Sequence, residues 1–235
     1  MSDKILVLNG NAYAEALIGL GDISFDKKEF MRKPDDFKLV QFTGGEDVSP
    51  SLYGDTSPKG MCHNSMRRDV EEREIFNIAY ENGIKMAGIC RGSQFLNVMS
   101  GGRMLHDIGN HAGVGHEMTT IKGNRVKVNS SHHQMSVVGK GGTVFGWSTE
   151  KRSNRYIGWG DEPEDAPEKE TEALYYPATR CVGVQYHPEW LPKDSDGYLY
   201  YHRLILDFLR MTEEQFTERY ISVDRKLLEA SGVRR

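Results

Sequence analysis

Three things are scarce in this 235-residue chain, and each scarcity narrows what it can be. Cysteine occurs only at positions 62, 90 and 181. That is too few for a disulfide framework, so a reducing cytoplasm is the simpler setting. No apolar stretch approaches the ~20 residues of a membrane span. The opening MSDKILVLNG lacks the long apolar core and cleavage pattern of a secretory signal. Positive charge is not in excess either: 30 Lys and Arg against 34 Asp and Glu give a net charge of −4. A broad nucleic-acid-binding face needs concentrated Lys and Arg. Neither nucleic acid nor a membrane is therefore expected as a partner. The chain has no internal repeat and no linker, and residues 1–235 read as a single domain.

What is present is an alternation of short apolar runs and helical patterns. Residues 4–9 (KILVLN) and 37–42 (FKLVQF) read as buried strands. Residues 68–82 carry Val70, Ile75, Ile78 and Ala79 near one helical face, with Gly83 to close the helix. Residues 84–89 form the next strand, and 91–100 the next helix, with Phe95, Leu96 and Met99 at helical spacing. Thereafter the pattern turns β-rich, at 125–129, 143–147, 171–176 and 181–186. Residues 198–210 predict a helix with Leu199, His202, Leu206 and Leu209 inward. Residues 212–228 predict a further helix, so that 198–230 forms a helical tail. Strands alternating with helices imply an α/β fold with a mostly parallel sheet covered on both faces. The acidic, proline-containing stretch at 159–172 (WGDEPEDAPEKETE) is expected to be an exposed loop.

The chemistry concentrates at GICRGSQ, residues 88–94. Gly-x-Cys-x-Gly between a strand and a helix is a device for presenting a nucleophile: Cys90 sits on a strained corner, and Gly88 and Gly92 remove clashes. The N-terminus of the following helix favours the thiolate. A buried structural thiol is the alternative, but it needs no such frame. A cysteine nucleophile needs a base and the base an orienter. GVQYHPEW, residues 183–190, ends an apolar strand with His187 and Glu189 two apart, a spacing that faces both the same way in extended backbone. An oxyanion hole can be made from the N–H of Arg91, next to the nucleophile, and that of Gly45 in the Thr43-Gly44-Gly45 turn. Asp47 is expected to brace that loop.

Other clusters carry less. His106, His111 and His116 recur every five residues, a spacing that fits neither one helical face nor usual zinc patterns, so no metal is expected. His116 is instead a candidate substrate contact in a glycine-rich loop. His132 and His133 would point to opposite faces of a strand. Cys62 and Cys181 read as inert, and Trp190 and Tyr186 as packing residues.

Together these motifs resemble the class I glutamine amidotransferase superfamily, and within it the gamma-glutamyl peptidases of the gamma-glutamyl-gamma-aminobutyrate hydrolase type. The stretches that carry the resemblance are TGGEDVSPSLYG (43–54), RDVEEREIFNIA (68–79), GICRGSQFLNVMSGG (88–102), LHDI (105–108), VNSSHHQ (128–134) and GVQYHPEW. The resemblance implies a flavodoxin-like three-layer sandwich and a Cys90–His187–Glu189 triad acting through a gamma-glutamyl thioester, with no cofactor. It places Gln94 on the glutamyl group of a gamma-glutamyl substrate or glutamine, and Ser131 and His132 at its amino-acid end. Only 42 residues precede Thr43, fewer than in relatives, from which an open leaving-group pocket is expected. Three functions stay open: a stand-alone hydrolase, a glutaminase subunit feeding ammonia to a separate synthetase, and a non-catalytic relative that binds a ligand. Transfer of the glutamyl group to an amine and a homo-oligomeric state also stay open.

Overall fold

The computed structural model describes residues 3–113 and 115–222. Its first half runs β1 (Lys4–Val7), β2 (Asp22–Ser24), α1 (Lys27–Arg32), β3 (Phe37–Phe42), α2 (Met66–Glu81), β4 (Lys85–Ile89) and α3 (Arg91–Met99). The β-rich half runs β5 (Arg103–Leu105), β6 (Asp107–Ile108), β7 (His116–Thr120), β8 (Arg125–Val128), β9 (Met135–Val137), β10 (Thr143–Ser148), β11 (Tyr156–Ile157), β12 (Thr171–Tyr176) and β13 (Cys181–Val184). Helices α4 (Asp196–Arg210) and α5 (Glu213–Tyr220) follow. Nine strands form one sheet in the order β2-β1-β3-β4-β13-β12-β10-β7-β8. From β2 to β13 the neighbours are parallel; from β13 to β8 they are antiparallel. The parallel strands need crossovers, and the helices supply them.

The strands alternate between two apolar layers. Ile5 and Val7, Ala87 and Ile89, and Val182 and Val184 face the layer of α4 and α5, where Tyr201, Leu204, Ile205, Phe208 and Phe216 pack. Leu6, Phe42, Met86 and Cys181 face the opposite layer, with Phe30 of α1, Ile75, Phe76 and Ala79 of α2, and Phe95 and Leu96 of α3. This is the flavodoxin-like α/β sandwich that the alternation and resemblance predict. Two small ladders, β5 with β9 and β6 with β11, enclose a satellite core of Leu105, Ile108, Met135 and Tyr156. No helix among the described residues is long and apolar enough to cross a membrane.

Several expectations need correction. The inner stripe of α4 is Tyr198, Tyr201, Leu204, Ile205 and Phe208, whereas Leu199 is exposed. The expected stripe followed the leucines; the tyrosines win because their hydroxyls find acceptors, Glu15 O at 2.9 Å and the buried Gln41 Oε1 at 2.5 Å. On α2, Val70 is exposed, and Asp69 and Glu72 share the buried face with Ile75. The acidic stretch at 159–172 is an exposed loop over most of its middle, but not at its ends. Asp161, Glu170 and Glu172 are buried, where histidine rings and backbone N–H groups compensate them. Strand β7 carries no alternating pattern in its sequence. Of the helix expected over 212–228, residues 213–220 are α5, begun by a Thr212–Gln215 capping box, and 223–228 lie outside the described residues.

Gly92 marks a close approach of α3 to the end of β3. A methyl group there would collide with the Phe42 carbonyl and lie 2.7 Å from Thr43 N. Gly92→Ala is therefore expected to cost about 1–3 kcal/mol of stability. Urea unfolding followed by circular dichroism measures this, and an unchanged midpoint would contradict the close-approach account.

Candidate active site

Strand β4 delivers Cys90 to the corner before α3. Its backbone is left-handed, φ 52° and ψ −115°, a region costly for a residue with a Cβ. Neighbours enforce the corner. Cys90 N donates to Val184 O of β13 at 2.9 Å, and Gln94 N donates to Cys90 O at 3.1 Å. A Cβ on Gly88 would lie 2.5 Å from Ser93 N. The flanking glycines thus serve close packing, while the cysteine itself carries the positive φ. Its side chain lies at the N-terminal end of a helix buried through Val98.

Strand β13 ends beside this corner, and the segment that follows it carries His187. Its Nδ1 meets Glu189 Oε1 at 2.6 Å, which occupies that nitrogen, and the Cys90 side chain is near enough to interact with the ring. Asn129 clamps the backbone of His187 from both sides: His187 N donates to Asn129 Oδ1, and Asn129 Nδ2 donates to His187 O, both at 2.8 Å. Trp190 lies parallel on the imidazole, 3.7 Å between centroids. Burial pushes the imidazole down, but hydrogen bonds to Cys90 and Glu189 outweigh it and raise it to about 9.

The Thr43-Gly44-Gly45 loop closes against the same ring. A Cβ on Gly44 would lie 2.9 Å from His187 Cε1, and Gly45, at φ 141°, would collide with the Arg68 guanidinium. Arg68 Nη2 donates to Thr43 O and Gly44 O, both at 2.9 Å, and its Nε to Glu72 at 2.8 Å. The Arg91 side chain does not enter the site: it turns into α2 and pairs with Asp69 and Glu72 in full burial. Removing one partner from such a buried set is strongly destabilising. Asp47 accepts from His63 N at 2.7 Å and meets His133 Nε2 at 3.0 Å, bracing the segment after the loop.

Two site neighbours escape sequence reasoning. Tyr13, from the helical turn at Asn11–Leu17, sets its hydroxyl against Gly44, where an added Cβ would lie 2.6 Å from it; burial and the charges of Glu189 and Cys90 push that hydroxyl up to about 12. The N-terminal part thereby supplies a wall where an open pocket is expected from the short segment before Thr43. Asn129 belongs to the VNSSHHQ stretch, whose family pattern directs attention to Ser131 and His132 instead. Gln94 is buried and donates to Gln185 Oε1 at 3.2 Å, and Gln185 Nε2 approaches Cys90 Sγ at 3.6 Å. Ser131 is exposed. His132 is buried away from solvent against Gln134 O, at 2.8 Å, and the His111 ring. His116 points to Glu172 at 2.9 Å. Burial pushes the Cys62 thiol up to about 11 and Cys181 up to about 12, in keeping with inert roles.

Three layers with a parallel centre and a cysteine at the β4–α3 corner define the class I glutamine amidotransferase fold, and solved structures agree. A GMP synthase protein of Thermoplasma acidophilum superposes at TM-score 0.59 with 14% identity, over 93% of this chain and 98% of that one. A glutamine amidotransferase of Thermotoga maritima gives 0.56 and 15%, over 98% and 94%. Residues 23–154, more than half of the sequence, match Peptidase C26, and the chain belongs to that family. Among curated proteins, it is 37% identical over 82 residues to one named glutamine amidotransferase Rv2859c of Mycobacterium tuberculosis. It is 39% identical over 69 residues to the glutamine amidotransferase-like protein YvdE of Lactococcus lactis. Those stretches span 34% and 29% of this chain and 27% and 29% of the two relatives.

The folded state holds the His187 proton more tightly than an unfolded chain, whose imidazole titrates near 6.5. The resulting stabilisation is complete below pH 6.5 and lost as pH rises through about 9. Proton NMR of the ring is expected to give a midpoint near 9, falling in Glu189→Gln. A wild-type midpoint at or below 6.5 would contradict the paired geometry.

Proposed function

We propose that this chain is a cysteine-dependent hydrolase of gamma-glutamyl amides. The observation that carries the reading is His187, held on Glu189 at 2.6 Å and three residues beyond Val184, whose carbonyl accepts from the N–H of Cys90 at the corner where Cys90 has a left-handed backbone. Cys90 attacks as thiolate, its sulfur forming a bond to the amide carbon while the carbonyl electrons move to oxygen. The N–H groups of Gly45 and Arg91 receive that oxyanion. As the C–N bond breaks, His187 gives its proton to the leaving amine, and a gamma-glutamyl thioester remains. Water then attacks; His187 takes its proton, the C–S bond breaks, and glutamate leaves. Glu189 holds the imidazole in orientation throughout. Gln94, Ser131 and the backbone at His132 are the residues assigned to the glutamyl moiety. The inward turn of the His132 ring leaves its main chain, rather than its imidazole, for that task.

A panel of gamma-glutamyl amides, glutamine included, tests this by glutamate release from the isolated chain. The expected result is turnover without a partner, no release by Cys90→Ala, and a loss of roughly 10²–10⁴-fold in Glu189→Gln. Release of glutamate from glutamine alone, and only after a synthetase is added, would identify an ammonia-supplying partner of that synthetase instead. Undiminished turnover by Cys90→Ala would remove the nucleophile assignment.

A further inference from the structure

A second polar cluster holds side chains that the amide chemistry does not use. His111, His132 and Glu172 are buried, and one ligand atom from each lies within 4.8 Å of the others. The orphaned atoms are the informative ones. His111 Nδ1, His132 Nε2 and Glu172 Oε2 are all buried without a hydrogen-bond partner. An unpaired buried polar atom is costly, and the two orphaned imidazole nitrogens converge on one carboxylate, that of Glu172, which calls for an occupant.

Each imidazole is oriented through its other nitrogen, and the Glu172 carboxylate through His116. His111 Nε2 meets Glu170 Oε2 at 3.1 Å, His132 Nδ1 meets Gln134 O at 2.8 Å, and Glu172 Oε1 meets His116 Nε2 at 2.9 Å. Metal-binding histidines are held this way, by a carboxylate or carbonyl on the nitrogen that does not bind. His111 Nδ1 and His132 Nε2 stand 3.6 Å and 3.8 Å from Glu172 Oε1. Bonds of ~2.0–2.1 Å in a tetrahedron put donors roughly 3.4 Å apart. Charge argues in the same direction. Glu170 and Glu172 are both fully buried carboxylates, and one divalent cation between neutral imidazoles balances the two.

We propose that His111, His132 and Glu172 bind a zinc-class divalent transition-metal ion. Two imidazoles and one carboxylate are a recognised set for such ions, and three protein ligands leave a fourth position for water. His116, beside the cluster, also lines a surface cavity of about 290 Å³ with Glu117, Arg125, Ser148, Glu150 and Arg152. The ion braces the segment from Ser130 to Gln134 against β12. That segment reaches the nucleophile: Gln134 O accepts from Gln94 Nε2 at 3.3 Å, Gln94 from there bonds Gln185, and Gln185 meets Cys90 Sγ. The proposal is independent of the amide-hydrolase reading, since an inactive chain can hold the same ion. Sequence spacing points away from metal because it tests His106, His111 and His116 as a set. The fold instead recruits His132 and Glu172, distant in sequence.

The test uses the full chain without a polyhistidine tag, expressed in zinc-supplemented medium. Elemental mass spectrometry is expected to find about one zinc per chain. The chelator-stripped chain, refolded with cobalt(II), is expected to show the visible bands of a low-symmetry site, displaced by zinc. Glu172→Gln and His132→Ala should lose the bands, and Glu170→Gln should weaken zinc binding roughly 10–100-fold. If wild type with native circular dichroism retains no zinc and shows no cobalt band, the proposal is overturned. Bands that persist unchanged in both ligand variants overturn it equally.

Discussion

The structure turns on the backbone of one residue. Cys90 holds a left-handed conformation that a side chain makes costly, and it holds it at the seam of four elements. β4 leads into it, α3 leads out, β13 accepts its N–H, and β3 passes under Gly92. Because glycine at 88, 92 and 183 removes side chains from this seam, α3 sinks against the sheet. That sinking buries a helix bearing Arg91, Ser93, Gln94 and Asn97, and each polar group must then find a partner. Much of the polar interior follows from this one corner.

Arg91 shows how. Its side chain, drawn down with α3, meets Asp69 and Glu72 of α2. Glu72 also holds Arg68, and Arg68 holds the carbonyls of Thr43 and Gly44. The buried charges thus connect the strained corner to the glycine loop through α2. Opposite, Asn129 fixes the backbone of His187, and Trp190 fixes its ring. The geometry at the thiol is set from both sides by groups that do not touch it.

Much of this is legible in the sequence because it is local. Gly-x-Cys-x-Gly after an apolar run, and His-Pro-Glu at a strand end, are short-range patterns, and β3 and β12 are readable to the residue. What is not legible depends on long-range pairing. Asp69 and Glu72 look like solvated helix charges until Arg91 is seen across from them. Glu170 and Glu172 look like loop acids until three histidines surround them. Tyr13 sits in a glycine-containing turn with no motif, and only the fold brings it to Gly44. Leu199 reads as an inward residue because leucine dominates the usual helical stripe, while the tyrosines of α4 carry the burial.

The central claim is that Cys90 and His187 form one reactive unit while Cys62 and Cys181 are inert. Alkylation by iodoacetamide at neutral pH, resolved by peptide mass spectrometry, tests it directly. The account predicts that Cys90 is modified far faster than the other two thiols, and that His187→Ala removes the difference. Equal rates at all three cysteines, or a Cys90 rate untouched by loss of the imidazole, would contradict it.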